Sequence, residues 1–125
     1  MPTVIRKSGT TLLAARREIL HAVSWQVRSH VWSPPTDEYE TAEAYVVLVE
    51  IAGMRDEDFE VSLDNDTLLI SGSRPDLLDR RAYQQMEIRF GKFSTAVQIP
   101  GLVNIEQARA EYQDGFLTVI LPKVI

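Results

Sequence analysis

Few residues in this sequence have the type and spacing that catalysis or metal binding requires. His21 and His30 lie nine positions apart, a spacing that suggests neither a pair of metal ligands nor a catalytic pair. The absence of cysteine removes thiolate nucleophiles, thiolate metal ligands and disulfides together. No serine lies in a G-x-S-x-G turn. The sequence therefore predicts no catalytic residue.

Two segments resemble ligand-binding loops but lack essential residues of those loops. The Gly91–Lys92 pair resembles the end of a phosphate loop, yet Met86 and Phe93 stand where that loop needs a glycine and a Ser or Thr. The acidic stretch at residues 64–66 resembles the start of a calcium loop, but Leu69 replaces its glycine. We therefore expect no metal site and no cofactor, and we predict that the protein is not an enzyme.

Length and composition indicate one domain with an appended arm. A chain of 125 residues with 45% hydrophobic and 25% charged residues can bury one substantial core. No apolar run approaches the ~20 residues that a membrane helix needs, and the first twenty residues lack the apolar run of a signal peptide. We therefore expect a soluble cytoplasmic protein that binds no membrane.

Charge is distributed unevenly along the chain, whose net charge is −5. Residues 1–32 carry five Lys and Arg against one Glu, whereas the remainder carries eight basic and seventeen acidic residues. The arm is either simply solvated or in contact with acidic partners, including other copies of the chain. The acidic body disfavours nucleic acid as a partner.

Residues 1–32 are interpreted as an amphipathic helical arm. Apolar residues recur there at intervals of three and four, and Thr10 and Thr11 can cap the start of a helix. Such a stripe needs a covering surface, and other protein chains are the favoured one. The predicted contact residues are Leu12, Leu13, Ile19, Leu20, Val23, Trp25, Val27 and Val31.

After two prolines at residues 34–35 the pattern changes to the period of two that is typical of β-strands. Six or seven short strands separated by turns favour an all-β, immunoglobulin-like antiparallel β-sandwich. Asp114-Gly115 between the last two strands is a strong hairpin signal. The strands are expected at residues 44–53, 59–64, 65–73, 93–100, 108–113 and 116–122.

Residues 74–92 form a connection too long for a hairpin, and connections of that length are usually functional or disordered. Within it, AYQQMEI at residues 82–88 has β character. A strand on a long loop can pair with the exposed edge of another copy.

Four segments, in order and spacing, resemble the α-crystallin domain of the small heat shock protein family. The most specific is A-x-x-x-D-G-x-L at residues 110–117, followed by Leu-Pro at 121–122. The resemblance covers residues 32–123, so the predicted domains are the arm at 1–32, an α-crystallin domain at 33–123 and a vestigial or truncated extension at 124–125. The four segments are WSPPTDEYET, VVLVEIAGMRDEDFEVSLDNDTLLISGSR, FGKFSTAVQIPGLVNIEQARAEY and AEYQDGFLTVILPK.

The resemblance implies an ATP-independent holdase, which binds partly unfolded client proteins, prevents their aggregation and passes them to ATP-dependent chaperones. It also implies homodimers, with possible larger homo-oligomers, in which the strand on the long loop pairs with the partner's first strand. The residues implied in this exchange are Asp37 and Tyr39 on the receiving strand and Tyr83, Gln85, Met86, Glu87 and Arg89 on the exchanged one.

Two departures from the family pattern affect assembly. Thr95 stands where members usually carry an arginine, and Arg89 is one candidate to supply that charge. The usual Ile-x-Ile/Val tail does not follow the last strand, whether naturally or through shortening, so we expect dimers or small, irregular oligomers. The groove that receives such a tail in the family is implied to lie between the strands at 59–64 and 108–113. Its candidate lining residues, which alternatively only pack beneath a sheet, are Val61, Leu63, Ala108 and Ala110.

Two alternatives without catalysis share the predicted sandwich. A co-chaperone of the related fold would bind a fixed partner but would lack the long loop with its β segment. An immunoglobulin-like adhesion or scaffold domain would normally be secreted and would not need the basic arm. The holdase interpretation is favoured over both.

Overall fold

The computed structural model describes residues 31–76 and 82–124, together with the backbone of three two-residue strands near the N-terminus. These are β1 (Thr3–Val4), β2 (Arg6–Lys7) and β3 (Thr10–Thr11). The helix that the sequence predicts from Leu12 onward lies outside the described residues.

Seven further strands build a sandwich of two sheets. One sheet has the order β1-β6-β7-β8 and the other the order β3-β2-β9-β10-β5-β4. All neighbours are antiparallel except β2 and β9, so the predicted antiparallel β-sandwich is confirmed. The seven strands are β4 (Thr36–Glu40), β5 (Ala44–Glu50), β6 (Phe59–Asp64), β7 (Thr67–Arg74), β8 (Gly91–Gln98), β9 (Arg109–Gln113) and β10 (Phe116–Pro122).

Short turns whose residues tolerate unusual backbone angles connect the hairpins. Asp114 and Gly115 have φ values of 54° and 85° and join β9 to β10 in register. Two consecutive positive φ angles are typical of the hairpin turn that Asp-Gly favours. The acidic stretch Asp56–Asp58 forms a 3-10 helix before β6, and Ile105–Gln107 forms a second one before β9.

Alternate residues of each strand supply the core. Leu117, Val119 and Leu121 of β10 are fully buried, whereas Phe116 is 39% exposed. Burying each leucine side chain contributes about 1.5–3 kcal/mol. The face that alternation predicts to be internal is therefore the internal one, and this strand is a structural wall.

Four aromatic rings cross from one sheet to the other. Trp32 packs on Phe93 at a centroid distance of 5.7 Å, Phe93 on Phe59 at 6.2 Å, and Phe59 on Tyr112 at 5.0 Å. The Tyr112 hydroxyl donates to the Ile51 carbonyl at 2.7 Å. Trp32, which the sequence interpretation assigned to the arm, thus belongs to the core, because its ring covers the outer side of Phe93.

Gly72 on β7 is required by the packing of this aromatic cluster. A Cβ atom at this position would lie 2.2 Å from the Asp58 carbonyl oxygen and 2.9 Å from the Phe93 ring. Neither neighbour can withdraw easily, since one is backbone and the other is a buried ring.

We therefore expect Gly72→Ala to lower the free energy of unfolding by about 1–3 kcal/mol, the usual cost of overpacking a core. Urea denaturation at a fixed protein concentration measures the change. Ser73→Ala, at the exposed neighbouring position, is the matched control and should leave the midpoint unchanged. Equal midpoints for the two variants would contradict the assigned packing.

Candidate functional site

The notable features of the described residues are surfaces. In residues 31–76 and 82–124, no group of three or more Asp, Glu or His side chains is placed to hold a metal ion. The same ranges contain no helix long and apolar enough to cross a membrane. Two strand edges, one loop and one arginine carry the features that could recognise another protein.

β4 is the terminal strand of the six-stranded sheet. It pairs with β5 on one side, from Thr36 opposite Val49 to Glu40 opposite Tyr45, and no strand of the described chain pairs with its other side. The predicted receiving residues Asp37 and Tyr39 are both exposed on this strand. An unpaired edge offers backbone N–H and C=O groups to an incoming strand.

The β4–β5 hairpin holds this edge in place. The Thr41 hydroxyl accepts hydrogen bonds from the backbone N–H groups of Glu43 and Ala44 at 3.2 and 3.0 Å, which fixes the turn. Beyond the turn, the Lys123 ammonium group forms an ion pair with Glu40. The edge is therefore presented by an ordered hairpin.

Residues 82–90 belong to neither sheet and have no regular secondary structure. Their apolar side chains face solvent: Tyr83 is 43%, Met86 59% and Ile88 65% exposed. Gln85 and Glu87 alternate with the last two. Alternating apolar and polar residues are typical of a strand that buries one face, and within one chain that face is uncovered.

Arg74, at the end of β7, anchors the far end of this loop. Its guanidinium Nε donates to the Arg89 carbonyl at 2.8 Å and Nη1 donates to the Ala52 carbonyl at 3.3 Å. The group also lies 4.6 Å from the centroid of the Trp32 ring and 5.5 Å from that of Phe90. Hydrogen bonds from a charged donor and cation–π contacts together fix the position at which the loop returns to the sandwich.

Trp32 strengthens the same anchor from the other side. Its indole N–H donates to the Gly91 carbonyl at 3.2 Å, and its backbone exchanges hydrogen bonds with Lys92 and Ser94. The chain entering the sandwich and the loop returning to it are thus joined along the edge of β8.

Thr95 is buried on β8 opposite Ile70. The described contacts of Arg89 at the loop base are made by its carbonyl, and the guanidinium in that network belongs to Arg74. The suggestion that Arg89 replaces the missing arginine therefore remains untested. Sequence reasoning missed Arg74, although its position directly before Pro75 and the long connection marks the start of the loop.

The four predicted groove residues lie together at the side of the sandwich where β6 and β9 face each other. Val61, Leu63 and Ala110 are buried members of the core cluster, and Ala108 packs partly buried against it. The Phe59 and Tyr112 rings join the same two strands across the layers. In this chain the outer edges of both strands are paired, β6 with β1 and β9 with β2.

The predicted client-binding residues from Leu12 to Val27 lie outside the described residues. Val31, the last of that group, is described and half-buried beside Trp32.

Comparisons with known proteins agree with this architecture. A family model described as the Hsp20/alpha crystallin family matches residues 37–125. Heat shock protein 16 of Schizosaccharomyces pombe is 35% identical over 96 residues, which are 74% of this chain and 67% of that protein. The 17.8 kDa class I heat shock protein of Arabidopsis thaliana is 33% identical over 99 residues, which are 77% of this chain and 63% of that protein. The chain thus spans about two thirds of the length of these relatives.

Two solved structures share the sandwich. Heat shock protein 16.0 from Schizosaccharomyces pombe has a TM-score of 0.68 and 34% identity, covering 74% of this chain and 87% of that one. A small heat-shock protein from Xylella fastidiosa has a TM-score of 0.67 and 25% identity, covering 75% of this chain and 88% of that one.

Replacing the anchoring arginine tests the fixed end of the loop. We expect Arg74→Leu to raise hydrogen exchange several-fold at residues 86–92, with a loss of at most about 1 kcal/mol in global stability, since the side chain is partly solvated. Arg109→Leu removes an exposed arginine that faces Glu111 at 3.6 Å and serves as control. Unchanged exchange at 86–92 would show that the loop is held by other contacts.

Proposed function

Because this chain belongs to the Hsp20/α-crystallin family of small heat shock proteins, we propose that it is an ATP-independent holdase. Membership of the family supports a chaperone role, since small heat shock proteins are chaperones and not enzymes. The proposed activity is to bind partly unfolded proteins during heat or other stress and to keep them from aggregating. Release to ATP-dependent chaperones would complete the proposed cycle.

The observation that carries the proposal is the combination of exposed apolar side chains and an open strand edge on a rigid sandwich. Unfolding proteins expose apolar surface and unpaired strands, and both can be covered by surfaces of the same kind. Met86, Ile88 and Tyr39 supply apolar surface on the described part of the chain, and β4 supplies the edge. Binding of this type needs no reacting group.

The proposed dimer pairs residues 82–88 of one copy with β4 of the other. Charge supports this pairing, because β4 carries Asp37, Glu38 and Glu40, whereas the long connection carries Arg80, Arg81 and Arg89. Pairing would also cover the apolar alternate residues of the loop. The Xylella fastidiosa relative is described as having a distinct high order structure, and for this chain we propose dimers or small oligomers.

The proposed client-binding element is the arm. Its apolar residues at intervals of three and four supply a flexible choice of contacts, and its basic charge suits the acidic body of a second copy. The fixed-partner alternative predicts no general protection of unrelated proteins, so one assay separates the two functions.

Deleting residues 78–88 should convert the dimer into a monomer, because the exchanged strand is removed and the sandwich strands remain. Light scattering coupled to size-exclusion chromatography measures the mass. A Gly/Ser segment of the same length in place of residues 78–88 keeps the connection intact and should give the same monomer. A dimer mass in either variant would exclude the exchange.

Suppression of client aggregation tests the holdase activity itself. A heat-labile enzyme is warmed with a roughly equimolar amount of the full chain, and light scattering is followed without nucleotide. We expect reduced scattering that ATP leaves unaltered, and loss of protection when Ile19, Leu20 and Val23 are replaced by serine. Ser73→Ala is the control variant. No protection by the native chain would favour a fixed partner, and full protection by the serine variant would move client binding to the sandwich.

A further inference from the structure

β6 and β9 would both be sheet edges if the chain began at residue 31. Apart from the N-terminal strands, β6 pairs only with β7 and β9 only with β10. The two strands belong to different sheets but lie close to each other, since the Phe59 and Tyr112 rings that they carry have centroids 5.0 Å apart. One side of the sandwich therefore has two adjacent edges, each with backbone groups available for pairing.

Five consecutive residues near the N-terminus reach both edges. Thr3 and Val4 pair antiparallel with Leu63 and Ser62, and Lys7 pairs parallel with Ala110. Five extended residues span about 16–18 Å, whereas packed sheets lie about 10 Å apart. The segment is thus long enough to cross from one sheet to the other, and the β2–β3 pairing turns the chain back afterwards.

The composition of both partners suits this contact. Thr3, Val4 and Ile5 are β-branched, which favours extended backbone. On the sandwich, Ala108 and Ala110 present small side chains where the segment crosses, so the backbone of an added strand can approach β9 closely.

We propose that residues 3–7 are an intramolecular cover for the groove between β6 and β9, and that this groove is a site for extended apolar peptides that open only when the cover leaves. The recognition is β-strand addition, in which backbone hydrogen bonds give affinity and small pockets give selectivity. A tethered segment acts at an effective concentration on the order of millimolar, so a free peptide must compete with it. This inference is independent of the holdase activity.

Hydrogen exchange of the full chain tests the cover. Thr3→Pro with Val4→Pro removes both N–H groups, one of which must face β6 because successive strand residues alternate. The control exchanges the two residues, Thr3→Val with Val4→Thr, and keeps composition and donors. We expect exchange to rise at least about tenfold in fragments covering β6 and β9 of the proline variant, with none in β5 and β10. Equal rates in both variants would overturn the proposal.

Peptide binding tests the vacated groove. A fluorescein-labelled peptide of residues 1–7, MPTVIRK, is titrated into each full-length variant and followed by anisotropy. We expect the proline variant to bind at least about tenfold more tightly than the control, because its own segment no longer competes. The labelled peptide MPPPIRK should not bind. Equal affinities would overturn the proposal, and a lower mass of the proline variant would overturn its intramolecular form by showing that the segment joins two copies.

Discussion

The packing of four aromatic rings between the sheets is the interaction on which the other features depend. Phe59 and Phe93 are fully buried, Trp32 closes one end of the row, and Tyr112 closes the other through its hydrogen bond to the Ile51 carbonyl. Each ring pair adds about 0.5–1.5 kcal/mol beyond the burial of its area. Because the rings belong to different strands, one cluster fixes the loop base at Trp32 and the groove strands at Phe59 and Tyr112.

The surfaces proposed for binding share one physical property, which is backbone or apolar surface that the single chain leaves open. β4 has one unpaired side, residues 82–90 expose Met86 and Ile88, and β6 with β9 would be open without the N-terminal segment. Unpaired edges attract any extended chain and must be covered or controlled. The proposed dimer covers the first two surfaces, and the proposed cover closes the third. Self-assembly and binding of other chains would then use the same kind of contact.

The fold could be predicted because alternation and turn residues are local signals. The strand bounds at 59–64 and 116–122 agree with β6 and β10, and the Asp114-Gly115 turn has the expected positive φ angles. The site was less predictable. Arg74 has partners that lie 15 and 22 residues away from it and others still farther along the chain, and no periodicity signals such a contact. The pairing of residues 3–7 with β6 and β9 joins positions more than fifty residues apart.

The sequence by itself determined the strands, their buried faces, the long connection and the division between a basic N-terminal segment and an acidic body, because each depends on neighbours within a few residues. Only the tertiary structure decided that Trp32 belongs to the core, that Arg74 holds the returning loop and that the groove edges are paired by the chain's own N-terminus. These depend on which distant segments the closed sandwich brings together. Side-chain spacing along one strand cannot specify them, since the two sheets meet only after folding.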